Sequence, residues 1–246
     1  MPLVVYSQYG YDSTITYNYD GYTFTAKYDT SNYCSVLTID KGGNTTYTSE
    51  CGERIMGIDA IDPDGNGKKI MLTNFTGGAH CCTFLTVYSF NSGKISLLDT
   101  LFLGNGYYEI KDLNNDGKKE LVCRDDAYAY AFTSYAGSFY PVEIYKFKNN
   151  KFYIATKEYP ELIENDIKDL KNELKDYITK GFDCPKAGDD TFNTDAGSVK
   201  AILGPIVEDY KNLGKLNDGY DYVKKIYKCN DVVNFISILE KDFKLK

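Results

Sequence analysis

Asp62-Pro63-Asp64-Gly65-Asn66-Gly67-Lys68-Lys69-Ile70-Met71-Leu72 and, 50 residues on, Asp112-Leu113-Asn114-Asn115-Asp116-Gly117-Lys118-Lys119-Glu120-Leu121-Val122 are two copies of one pattern. A repeat of about 50 residues is the length of a single propeller blade. Within each copy, oxygen side chains at loop positions one, three and five converge once a glycine at position six lets the backbone turn sharply. Hard oxygens at that density select Ca²⁺. An EF-hand is excluded, because position twelve is Thr73 in one copy and Cys123 in the other, and strand-forming residues flank both loops. In the second copy Glu120 stands at position nine and can complete the shell; in the first that place is Ile70. The expected metal ligands are therefore Asp112, Asn114, Asp116 and Glu120, with a poorer set at Asp62, Asp64 and Asn66. The competing reading is plain Asx turns, which join strands without metal.

Around the repeat, 19 of the 24 tyrosines precede Pro160, in short β-branched and aromatic runs separated by Gly, Asn and Asp. Strands are predicted at 22–28, 35–39, 69–75, 84–90, 95–103, 120–124, 142–147 and 152–156, with hairpin signals such as Asn91-Ser92-Gly93. Their spacing favours a propeller-like arrangement of short antiparallel strands, complete or partial, over a parallel sheet. After Pro160 the period changes. Ile163, Ile167, Leu170, Leu174 and Ile178 form a helical stripe between Pro160 and the stop signal Gly181. Further helices are predicted at 199–213, kinked or broken by Gly204-Pro205, at 218–228 and at 231–243, with a surface loop at 182–195. The chain thus reads as a mainly β domain, 1–159, followed by an all-α domain, 160–246.

The net charge of −7 argues against nucleic acid or an anionic membrane as partner. No apolar run is long enough for a spanning helix, so membrane insertion is not expected. The N-terminus lacks the basic and apolar regions of a signal peptide. Seven cysteines without a C-x-x-C spacing, beside the single His80, exclude thioredoxin and zinc-ribbon chemistry and favour disulfides in an exported chain. Cys51 and Cys123 are candidate mates for Cys81 or Cys82, and Cys184 with Cys229 forms a clasp across the helices.

His80-Cys81-Cys82 invites a nucleophile reading. On a strand over 79–84, however, His80 and Cys82 share a face and Cys81 points away, and no orienting partner is identifiable. Asp125 and Asp126 are adjacent and diverge in the same way, unlike the facing carboxylates of glycoside hydrolysis. No catalytic residue and no organic cofactor is assigned. The aromatics from Tyr128 to Tyr140 read as sheet packing, with a binding surface as the alternative.

With their surroundings, the two loops resemble the FG-GAP (VCBS-like) repeats of the integrin-α-type β-propeller superfamily. The stretch from Asp62 to Phe152 is similar to a group of uncharacterised bacterial exported proteins. Three segments carry this likeness: the first loop with Gly77-Gly78-Ala79-His80-Cys81-Cys82, the second loop with Asp125-Asp126-Ala127-Tyr128, and Pro141 to Phe147. The resemblance implies a periplasmic or secreted location, a propeller-like β fold and Ca²⁺ loops, and implies no activity. The expected function is a Ca²⁺-stabilised, non-enzymatic binding or interaction protein of the bacterial envelope, with an unknown protein or glycan ligand. The alternative is an envelope hydrolase acting on glycan or peptidoglycan through Asp125 and Asp126.

Overall fold

Each β-rich stretch folds back on itself in chain order. The computed structural model describes residues 14–78, 81–186 and 188–246. Three four-stranded antiparallel meanders result. The first is β1 (Thr14–Tyr19), β2 (Tyr22–Asp29), β3 (Cys34–Lys41) and β4 (Asn44–Thr48). The second is β5 (Arg54–Ile61), β6 (Lys69–Phe75), β7 (Thr83–Asn91) and β8 (Lys94–Gly104). The third is β9 (Glu109–Lys111), β10 (Glu120–Arg124), β11 (Val142–Lys148) and β12 (Lys151–Ile154). Alternation places Tyr22, Phe24 and Ala26 of β2 beside Leu37 and Ile39 of β3 in one core with Ile55, Ile58, Ile70 and Leu72. β6 is buried along most of its length, and its Asn74 meets the cost of burial by donating to Leu72 O (3.2 Å) and Thr86 Oγ1 (3.0 Å).

Helices follow: α1 (Pro160–Lys180), α2 (Asp195–Asn212), α3 (Leu216–Ile226) and α4 (Val232–Lys241). Pro160 opens α1 and Gly181 closes it at φ 75°. The expected break at Gly204-Pro205 does not occur, and α2 runs through it. Both residues are buried, with Tyr128 and Leu239 close to Gly204, so tertiary packing outweighs the hydrogen bond that proline removes. Of a strand over 79–84, residues 79 and 80 lie outside the described residues; β7 begins at Thr83, and Cys81 and Cys82 precede it outside the strand.

The chain forms two compact units interleaved in sequence. The first holds the described residues up to Asn105 with Lys111–Glu120 and Lys146–Tyr153; the second holds Gly106–Ile110, Leu121–Tyr145 and Ile154–Lys246. Secondary structure changes type at Pro160, but the second unit's core reaches back to Phe132, which packs edge-on against Phe235 at 5.2 Å. Cys34 pairs with Cys51 in the first unit and Cys184 with Cys229 in the second. Cys81 pairs with Cys82, so neither uses Cys51 or Cys123 as its mate. Cys123 is a buried thiol, pushed up to about 12 by burial and then by Glu143. Among the described residues, no helix is long and apolar enough to cross a membrane.

Candidate functional site

The repeat occupies equivalent places. Its first copy joins β5 to β6, the first two strands of the second sheet, and its second joins β9 to β10, the first two strands of the third. The backbones match as well. Position four is left-handed in both (Gly65 φ 76°, Asn115 φ 59°), and so is position six (Gly67 φ 92°, Gly117 φ 85°). Glycine serves at position six because an L side chain is strained there.

The interiors differ. In the second loop Asp112 accepts the N–H groups of Asp116 and Gly117 at 3.0 Å each, and Asn114 Oδ1 accepts from Asp116 N at 3.2 Å. Glu120 is buried, with Oε2 accepting from Leu113 N at 2.9 Å. Lys118 and Lys119 stand off at 3.8 Å from Asp116 and Asp112, on half-exposed side chains. In the first loop Asp62 accepts from Gly65 N (2.8 Å) and Asp64 from Asn66 N (3.1 Å), but Lys69 Nζ also lies 2.8 Å from Asp64 Oδ1. The same ammonium donates to Gly67 O at 3.0 Å. The first loop thus contains its own cation. Burial opposes the charge of Asp64, yet the hydrogen bonds from Lys69 and Asn66 hold its carboxyl below the usual range.

The two copies therefore offer different sets of oxygen donors. Asp112, Asn114, Asp116 and Glu120 offer hard oxygens, whereas Asp64 is already neutralised and Ile70 offers none. Among the described residues, no three His, Cys, Asp or Glu side chains are gathered as around a metal ion.

The two copies line one cleft of about 370 Å³ within the first unit. Asp64 and Asn66 come from the first loop, Asp116 and Glu120 from the second, and Lys146 and Tyr153 from around the β11–β12 turn. Four of the seven expected ligands thus meet, while Asp62, Asp112 and Asn114 are not among its walls. Lys69, Lys146 and Tyr153 were not anticipated; only the Lys-Lys pair at positions seven and eight of both copies hints at an internal ammonium. A larger cavity, about 640 Å³, lies in the second unit beside Lys200 and Asp231, away from the repeat.

Of the other candidates, His80 lies outside the described residues. Cys82 exchanges hydrogen bonds with Thr76, N–H to Oγ1 at 2.9 Å and O from N at 3.0 Å, which closes the loop between β6 and β7. Asp125 accepts from Ala127 N at the start of a 3-10 turn, Asp126–Tyr128. Its electrostatic partners include Glu143 and Glu208, groups that sequence spacing did not connect to it. Glu143 is raised to about 7 by burial, lowered in part by the Tyr145 hydroxyl that donates to it at 2.6 Å, and raised further by Asp125 and Glu208. The aromatic segment packs on helices rather than within a sheet: Tyr128 stacks on Phe243 at 4.4 Å, while Tyr130 remains exposed.

These features define a mainly β protein with a helical C-terminal region, cross-linked by disulfides and carrying paired Asp/Asn hairpins. Compared with known proteins, the chain is 28% identical over 192 residues to the "Probable thylakoid lumen protein sll0997" of Synechocystis sp., covering 76% of this chain and 52% of that protein. It is also 28% identical over 83 residues to the "Uncharacterized protein y4bJ" of Sinorhizobium fredii, covering 34% of this chain and 13% of that one. The chain thus spans about half of the first relative's length and far less of the second's. No family model and no solved structure matches it. A relative named for an exported compartment, together with three disulfides, fits an exported protein.

Proposed function

We propose that this is an exported, Ca²⁺-stabilised, non-enzymatic binding protein of the bacterial envelope, periplasmic or secreted, whose protein or glycan ligand sits in the cleft between the two hairpin loops. The observation that carries this reading is the meeting of two equivalent loops, 50 residues apart in sequence, on one cleft. Carboxylates, lysines and the Tyr153 ring give it both signs of charge and an aromatic face, suited to a polar ligand. Ca²⁺ belongs in the second loop, held by Asp112, Asn114, Asp116 and Glu120, where it would stiffen that wall. Three meanders in succession, each with strands in chain order, support a propeller-like arrangement of blades.

Thermal unfolding with excess Ca²⁺ against a chelator tests the metal, since a ligand of the folded state alone raises the midpoint. The rise should vanish in Asp112→Asn and Glu120→Gln and persist in Asp64→Asn. Calorimetric titration with soluble peptidoglycan fragments and with an envelope-peptide library tests the cleft, and binding should weaken in Lys146→Ala and Tyr153→Ala. No rise with Ca²⁺ and no dependence on the cleft variants would defeat the proposal.

A second reading, a hydrolase of glycan or peptidoglycan, is favoured by Glu143, held near neutrality beside Asp125 and Glu208. Release of soluble fragments from peptidoglycan, abolished in Glu143→Gln but not in the cleft variants, would replace the first reading by this one.

A further inference from the structure

In the second unit, Asp166 on α1 is almost fully buried and both its oxygens are engaged. Oδ1 takes the Arg124 guanidinium, and Oδ2 accepts the Val142 N–H at 3.0 Å. Arg124 also donates to Tyr140 O at 3.1 Å, so this cluster ties α1 to the β10–β11 hairpin. Asp209 on α2 comes within hydrogen-bonding reach of Asp166. It is 0% exposed, yet neither of its carboxyl oxygens has a donor from the protein. Two carboxylates cannot hydrogen-bond one another unless one carries a hydrogen. The missing donor is a proton.

We infer that Asp166 and Asp209 share a single proton, and that this proton latches α2 to the ion pair of α1 with the β10–β11 hairpin. Charge counting agrees. The charged groups facing Asp209 are Asp166 from α1, Arg124 from β10 and Glu208 from its own helix, with the Tyr128 phenol from the 3-10 turn. Glu208 only adds negative charge, so one guanidinium already faces more carboxyls than it can neutralise, and the proton goes to Asp209, which has no donor, rather than to Asp166, which is bonded to Arg124 and Val142 N. Burial first, then Asp166, pushes the Asp209 carboxyl up to about 10. Above that pH the proton leaves to solvent, and two anions face one cation.

The sign follows from linkage. Burial and Asp166 raise the Asp209 carboxyl far above its unfolded value, so between its unfolded and folded titrations the folded state holds one more proton. Its contribution is complete below the unfolded value, decreases as pH rises and is gone once pH passes the raised folded value. Equilibrium unfolding of wild type and Asp209→Asn between about pH 5 and 9 tests this, because the Asn amide can donate to Asp166 without titrating. The unfolding constant of wild type relative to the variant should rise about tenfold per pH unit. Parallel pH curves would overturn the inference. Should the variant fail to fold, the infrared carbonyl band of a protonated carboxyl decides on wild type alone. At about pH 8.5 it should be present folded and absent unfolded, and its absence from the folded protein would refute the shared proton.

Discussion

Lys69 Nζ lies 2.8 Å from Asp64 Oδ1, with both side chains about nine-tenths buried inside the first Asp/Asn loop. Lysine also stands at position eight of the second loop, but there Lys119 is half-exposed and 3.8 Å from Asp112. The difference traces to position nine. Glu120 brings a buried carboxylate into the second loop, whereas Ile70 leaves the first with one acidic group fewer, so that a single ammonium goes further toward neutralising the carboxylates that remain. One copy holds its lysines 3.8 Å off and the other has closed on a side-chain cation.

Replacing Lys69 by Met should therefore leave Asp64 buried without its partner, at a loss of about 2–3 kcal/mol at neutral pH. The pH dependence is fixed by sign. Asp64 is held below its ordinary value, so its contribution is present above about 3.8 and is lost as pH falls through the lower folded value. Urea unfolding should show a gap between wild type and Lys69→Met that is wide at pH 7 and narrows in strong acid. A gap independent of pH would mean that Lys69 acts through packing alone.

The disulfides give a second expectation. Unfolded without reductant, the protein should present one thiol, Cys123, and after reduction all seven. Cys34–Cys51 closes 17 residues and Cys184–Cys229 closes 45. Chain entropy assigns these about 3 and about 4 kcal/mol. The Cys184→Ser, Cys229→Ser double variant should lower the stability of the second unit by roughly that larger amount. A thiol count of seven before reduction would remove the cross-links and weaken the assignment to an exported compartment.

Much of the β-rich part of the chain was legible because half-buried strands alternate. β2, β6 and β10 begin at Tyr22, Lys69 and Glu120, where pattern alone placed them. β5 was missed because Gly57 and Asp59 interrupt its apolar run, and the ladder shifts register between Ile55 and Gly57. β9 has only three residues, too few for a period. Pro205 misled because local propensity counts a lost hydrogen bond but not the buried surroundings of α2. At the candidate site, spacing named the oxygens, while charge balance between neighbouring groups decided their use. Which carboxylates meet Asp125 was hidden, since Glu143 and Glu208 are distant in sequence and carry no motif.

Glu143 supplies a third expectation. Burial, Asp125 and Glu208 raise its carboxyl to about 7 against 4.5 unfolded, with Tyr145 opposing. A raised acid favours folding in its protonated form, so stability is lost as pH climbs from about 4.5 to about 7. Glu143→Gln should remove that loss and be more stable than wild type at pH 8, by about 3 kcal/mol. Tyr145→Phe, which deletes the hydroxyl donor, should move the titration of Glu143 upward. A carboxyl resonance for Glu143 titrating near 4.5 in the folded protein would contradict both.

Gly197 in the first turn of α2 gives the sharpest mutational test, because two rules oppose each other there. Helix propensity favours alanine over glycine by about 1 kcal/mol. A Cβ at this position, however, would lie 2.1 Å from Thr191 O and 2.6 Å from Phe132 O, both backbone atoms. The Thr191 carbonyl is held by Thr194, whose N–H donates at 3.2 Å and whose hydroxyl donates at 2.7 Å, so it cannot retreat without undoing the helix cap. Overlap should win. Gly197→Ala is expected to destabilise by about 3 kcal/mol, lowering the midpoint by several degrees in a chain of this size. Gly52→Ala is the control, since nothing lies within 4 Å of its added carbon, and it should shift the midpoint little. Equal midpoints for the two variants would mean that the start of α2 is not packed against Thr191 and Phe132 in solution.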